Sequence, residues 1–153
     1  MSTVEVQVQE FAACKAVSIT KNITVPDFHA WIPHVLGQLH GYIQEAGGAI
    51  AGDPICFYHG PINENDSGPA EVCWPFTGDI EPSGEIVVRE IPAHQAAVGK
   101  ANKEQSQFPI ILDVWSDVAG WVQENEKTLT EETLCCYEVW PEDHTIHVVM
   151  PFG

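Results

Sequence analysis

The sequence predicts an α+β fold made of two copies of a strand-strand-helix-strand-strand unit, and three observations carry that prediction. Short runs of alternating or of aromatic and β-branched residues, bounded by Gly, Pro and Asn, read as strands. A segment with apolar residues at helical spacing separates the strand pairs. The whole pattern then recurs at an offset of 80 residues. One domain over residues 1–153 is expected, with a first repeat at about 3–77 and a second at about 84–153.

Taken in order, Val4-Glu5-Val6-Gln7-Val8-Gln9-Glu10 alternates apolar and polar, and Ala16-Val17-Ser18-Ile19 reads as a second strand. A hairpin closed at Ala12-Ala13 is the economical arrangement. Pro26-Asp27 opens a helix with apolar residues Phe28, Trp31, Ile32, Val35, Leu36, Leu39, Tyr42 and Ile43 at amphipathic spacing, with Pro33 expected in the first turns, where proline is tolerated best. Ala46-Gly47-Gly48 ends it. Ile55-Cys56-Phe57-Tyr58 is a third strand, His59 to Ala70 a long loop, and Glu71-Val72-Cys73-Trp74-Pro75-Phe76 a fourth strand.

Residues 77–83 read as a linker, after which the pattern restarts. The offset of 80 sets Glu5 on Glu85, Glu10 on Glu90, Phe28 on Phe108 and Cys56 on Cys136. Gly41-Tyr42-Ile43-Gln44-Glu45 matches Gly120-Trp121-Val122-Gln123-Glu124, and Trp74-Pro75-Phe76 matches Met150-Pro151-Phe152. Leu134 to Trp140 and Ile146 to Phe152 are then the last strands, parted by Pro141-Glu142-Asp143-His144. Two antiparallel-sheet units with one helix each would bury their cores by packing about a pseudo-twofold axis. A ligand cleft is expected at that axis.

Charge narrows the function. With 6 Lys+Arg against 22 Asp+Glu the formal charge is −16, which repels phosphate backbones and argues against direct nucleic-acid binding. The five cysteines show no zinc-ribbon spacing and read as reduced, mostly buried thiols. No basic end followed by an apolar run opens the chain, and no apolar stretch is long enough to span a bilayer, so a cytoplasmic protein without membrane contact is expected.

Glu138 is the first functional candidate. It lies in the strand Leu134-Cys135-Cys136-Tyr137-Glu138-Val139-Trp140, where an ionised carboxylate among apolar neighbours is costly unless compensated. The alternative is a carboxylate on the solvent face of an edge strand. At the offset of 80 its counterpart is Tyr58. Of five tryptophans, Trp31 and Trp121 fall on helix faces and read as core, while Trp74, Trp115 and Trp140 are candidates for an aromatic wall. Such a wall attracts cations by about 0.5–2 kcal/mol per contact. His144-x-x-His147 bridges a turn, and neither a metal site nor a cofactor is expected. No nucleophile elbow or phosphate loop is present in the sequence.

These features together resemble the GyrI-like effector-binding domain family, the ligand-sensing module of multidrug-responsive bacterial transcription activators. Tyr137-Glu138-Val139-Trp140, Val149-Met150-Pro151-Phe152 and the hairpin-like Gly84-Glu85-Ile86-Val87-Val88-Arg89-Glu90-Ile91-Pro92-Ala93 carry the resemblance. It implies a multidrug-binding cleft for hydrophobic cationic or aromatic molecules, with Glu138 as the buried acid. Ligand contacts are expected from Glu138, Trp140, Tyr58, Trp74, Trp115, Glu71, Tyr137 and His147. Two departures stand out: His147 replaces a frequent acidic residue, with Glu71 keeping the acid at the corresponding place in the first half, and Trp140 replaces a usual tyrosine. Since strand-like sequence begins by Val4, any DNA-binding or regulatory part is expected on a separate protein. The resemblance also implies two alternatives: a hydrolase of cyclopropanoid natural products on the same cleft, and an acidic inhibitor of a topoisomerase-like partner. Binding is the first reading. On it, Glu138→Gln should leave the empty protein equally or more stable while weakening cation binding roughly ten- to a hundredfold.

Overall fold

Strands pair antiparallel wherever a pairing is defined in the computed structural model, which describes residues 4–59, 67–130, 134–143 and 145–152. The fold is α+β, as the sequence predicts. Among the described residues it has nine strands and two helices. The chain divides into a continuous unit, Cys14–Ile91, and a split unit formed by the residues up to Ala13 and those from Pro92.

In the continuous unit, β2 (Cys14–Ile23) lies between β5 (Gly68–Thr77) and β6 (Val87–Ile91). Strands β4 (Ile55–Tyr58) and β3 (Ala49–Ile50) pair with β5. Helix α1 (Val25–Glu45) packs on β2 and β5 through buried Phe28, Trp31, Val35, Leu39 and Ile43, while Ile32, Leu36 and Tyr42 of the expected apolar set are half-buried beside that stripe. Pro33 sits in the third turn, later than expected from its tolerance near helix starts. The stripe continues on both sides of it, so packing outweighs the missing backbone bond.

The split unit repeats the scheme. Strand β7 (His94–Lys100) lies between β1 (Val6–Phe11) and β9 (His147–Phe152), and β8 (Tyr137–Val139) pairs with β9. Helix α2 (Ile111–Glu124) covers β7 and β9 with Ile111, Val114, Val118 and Val122. Gly99 makes that approach possible, because a Cβ there would stand 2.5 Å from Val118 Cγ2 and 3.0 Å from Val4 Cγ2.

One connection corrects the sequence reading. The expected hairpin at Ala12-Ala13 does not form, since β1 pairs with β7 and β2 with β6. Each unit therefore takes an outer strand from the other half of the sequence. Neither Ala12-Ala13 nor Pro92-Ala93 supplies the left-handed residues that a two-residue hairpin turn requires, so the chain leaves its sheet at both places. The 77–83 segment is also more than a linker. Ile80 is buried, and Tyr42 Oη donates to Glu81 O.

The ladders revise the internal alignment as well. Lys15 pairs with Phe76 and Gln95 with Phe152, so β2 and β7 correspond at an offset of 80 but β5 and β9 at 76. Ile55 opposite Cys73 then corresponds to Tyr137 opposite Val149, an offset of 82. Glu138 thus matches the buried Cys56, and Tyr58 matches Trp140. The gapless offset went astray because the connections differ in length between the halves.

Candidate functional site

Glu138 sits in the middle of β8, opposite Val148, which in turn pairs with Gly99. Side chains across paired positions share a sheet face, and Gly99 faces Val118 of α2. Glu138 therefore projects to the helix side. There α2 presents Trp115 and the end of β8 presents Trp140. Trp115 Nε1 donates to Glu138 Oε2 at 2.8 Å, and Trp140 Nε1 donates to Oε1 at 2.9 Å. Glu138 is only 5% exposed, while both indoles are half-buried. The solvent-face alternative is thereby removed.

Each of these two donors is an indole N–H, which holds no positive charge. The two N–H groups orient the acid beside two aromatic rings.

Strand alternation turns Tyr137 to the opposite face. Its hydroxyl lies 2.7 Å from His94 Nε2, and His94 Nδ1 lies 2.8 Å from Pro92 O. A carbonyl only accepts, so Nδ1 carries the hydrogen and Nε2 of the neutral ring accepts the phenol O–H. Phe11 stacks on His94 at 4.9 Å and Tyr137 is 1% exposed, so this phenol is enclosed apart from Glu138. His147, in register with Val139 and Lys100, shares the Tyr137 face.

The remaining candidates lie in the continuous unit. Glu71 is 6% exposed, and its Oε1 accepts from Arg89 Nη1 at 2.5 Å and from His59 Nε2 at 2.6 Å. Arg89 also lies 4.0 Å over the Phe57 ring. The charge of Glu71 is met inside its own unit by the chain's one arginine, a pairing that sequence reading missed. Its signal was an arginine standing in a strand of a strongly acidic chain. Two residues on, burial first and the Glu71 charge second push the Cys73 thiol well above its usual range. Tyr58 meets Phe28 edge-on at 5.9 Å, and Trp74 Nε1 donates to Gly52 O at 3.0 Å with His40 against its ring. Of the expected ligand residues, the structure brings Glu138, Trp115 and Trp140 together by direct bonds.

Among the described residues, no group of three His, Cys, Asp or Glu side chains is placed to hold a metal, and no helix is long and apolar enough to cross a membrane. His144 of the His144-x-x-His147 spacing lies outside the described residues.

No protein-family model and no curated protein matches the sequence. Solved structures do match the fold. The EcmrR C-terminal domain superposes with a TM-score of 0.79 at 17% identity, covering 98% of each chain. Against EcmrR in its complex with DNA the TM-score is again 0.79, and the chain spans 57% of that protein. SAV2435 bound to tetraphenylphosphonium matches with a TM-score of 0.56 at 17% identity over 97% of this chain and 94% of that one. A hydrolase from Listeria innocua matches at 0.68 with 5% identity, over 100% of this chain and 94% of that one. These likenesses show the GyrI-like fold that the sequence resembles.

Proposed function

We propose that the chain is a ligand-binding effector module for lipophilic cations, with Glu138 as the acid that selects them. The observation that carries the reading is a buried carboxyl group held between two indole N–H groups, at the position where the other unit has a buried cysteine. Packing alone has no use for the charge, because Cys56 fills the corresponding place without it. Indole faces supply cation attraction of about 0.5–2 kcal/mol each, and the carboxylate adds Coulomb attraction in a setting poorer in water than the surface. Support also comes from SAV2435, which shares the fold and holds tetraphenylphosphonium. Coupling of this module to a DNA-binding part is included in the same proposal, since EcmrR, which shares the fold, is found in a complex with DNA.

Tetraphenylphosphonium and a neutral tetraphenyl isostere, titrated into wild type and Glu138→Gln, test it. The cation should bind wild type in preference to the isostere, and the variant should lose roughly ten- to a hundredfold in cation affinity alone. The geometry also revises the expected stability of this variant. A Gln amide would turn its NH2 toward one indole N–H, two donors face to face, so Glu138→Gln should melt somewhat lower than wild type, by about 1–3 kcal/mol. Unchanged cation affinity in a folded variant sinks the proposal.

A further inference from the structure

The continuous unit contains a cavity of about 440 Å³ that shares no residue with the Glu138 cluster. It lies where the end of β2 passes through Thr24 into α1, with Ser67 at the start of β5 on its margin. We propose that this cavity binds a small carboxylate-bearing molecule with a planar apolar body.

The lining chemistry points that way. Four of its side chains have hydrogens to donate to a ligand: the Lys21 ammonium, the Asn22 amide, the Ser67 hydroxyl and the His34 ring. Asp27, the acidic residue of the wall, accepts from Thr24 Oγ1 at 3.3 Å and is itself exposed to solvent, which screens its charge. Lys21 Nζ stands 5.8 Å from the Trp31 ring centroid, which holds the ammonium at the cavity rather than swinging freely in solvent. Asp27, Trp31 and His34 are spaced by four and three residues, so one face of α1 presents them together. Ile23 and Trp31, both buried, give the apolar side.

Size and field agree with the chemistry. The volume lies within the range of about 300–1,000 Å³ usual for small-molecule sites. A chain of formal charge −16 repels anions in general, so a carboxylate that settles here must be drawn by a local donor set and not by the surface field. The ligand charge is opposite to that proposed for Glu138, and the two sites can be lost separately.

Salicylate, with salicylamide as its neutral isostere, is a direct probe of the full chain by calorimetry and amide chemical shifts. Salicylate should saturate one site, shift the amides of residues 21–34 and bind at least about tenfold tighter than salicylamide. Lys21→Gln should weaken it by about tenfold or more, and Ser67→Glu, which sets a carboxylate at the margin, should do the same. Both residues are exposed, so both variants should melt like wild type. Glu138→Gln should bind salicylate as wild type does. The proposal is overturned by absent saturation, by equal affinity for salicylamide, by salicylate affinity that Lys21→Gln leaves unchanged, or by its loss in Glu138→Gln.

Discussion

Two indole N–H groups on one carboxylate make Trp115 and Trp140 part of the acid rather than only part of a wall. Trp115→Phe keeps an aromatic ring but removes the donor to Oε2, which should cost about 1.5–3 kcal/mol in a denaturant titration, the usual range for a hydrogen bond to a charged group. An unchanged midpoint would show that this bond contributes little. Cys73 permits a second prediction, with a definite sign. Its folded thiol holds its proton to higher pH than an ordinary one because of burial and the Glu71 charge. Above about pH 8.5 the unfolded chain loses that proton while the native chain keeps it, so stability falls as pH rises. Melts between pH 8 and 10 should therefore decline more steeply for wild type than for Cys73→Ala. At this scale the sequence showed that Glu138 was out of place and that tryptophans were plentiful. It could not show that Trp115, 23 residues upstream, reaches the acid, because that depends on which turn of α2 comes level with Glu138 when the helix packs on β7 and β9.

Among the elements, the strands and helices were legible from their apolar periods: of the apolar positions on α1, 28, 31, 35, 39 and 43 are buried and 32, 36 and 42 half-buried. Register was not. Equating Glu138 with Tyr58 assumed equal connections, and the ladders show a slip of two residues. A slip of two preserves the face, so the wrong alignment still set Glu138 on a residue of the same side of the strand. The spacing of α2 over its sheet depends on Gly99, where an added methyl would meet the β-branched, buried Val118. Gly99→Ala should destabilise the protein by about 1–3 kcal/mol through overpacking. The combined variant Gly99→Ala with Val118→Ala should recover part of the cost of the two single changes. Simple addition of the two costs would remove the strand-helix contact as the cause.

For the molecule as a whole, the fold class was readable from the order of elements, but the exchange of β1 and β6 was not. Local patterning favours a hairpin between neighbouring strands, and only the unsuitable turn residues at Ala12-Ala13 argued otherwise. The exchange predicts the behaviour of a cut chain. A protease site inserted after Pro82, in an exposed stretch, should yield halves that elute together under native conditions and part only in denaturant. Each half contributes a paired strand to the other's sheet, β1 to β7 and β6 to β2. Halves that separate on cutting would show those ladders to be too weak to hold them. The same arrangement governs how the chain resists being pulled. β1 and β9 both run antiparallel to β7 and flank it, so they run parallel to one another. Val6 is level with Gly99 and Phe152 with Gln95, which puts the entry of β1 and the exit of β9 toward opposite ends of β7. Tension applied between the two ends of the chain would load both ladders in shear, with their hydrogen bonds sharing the force at once instead of opening one by one.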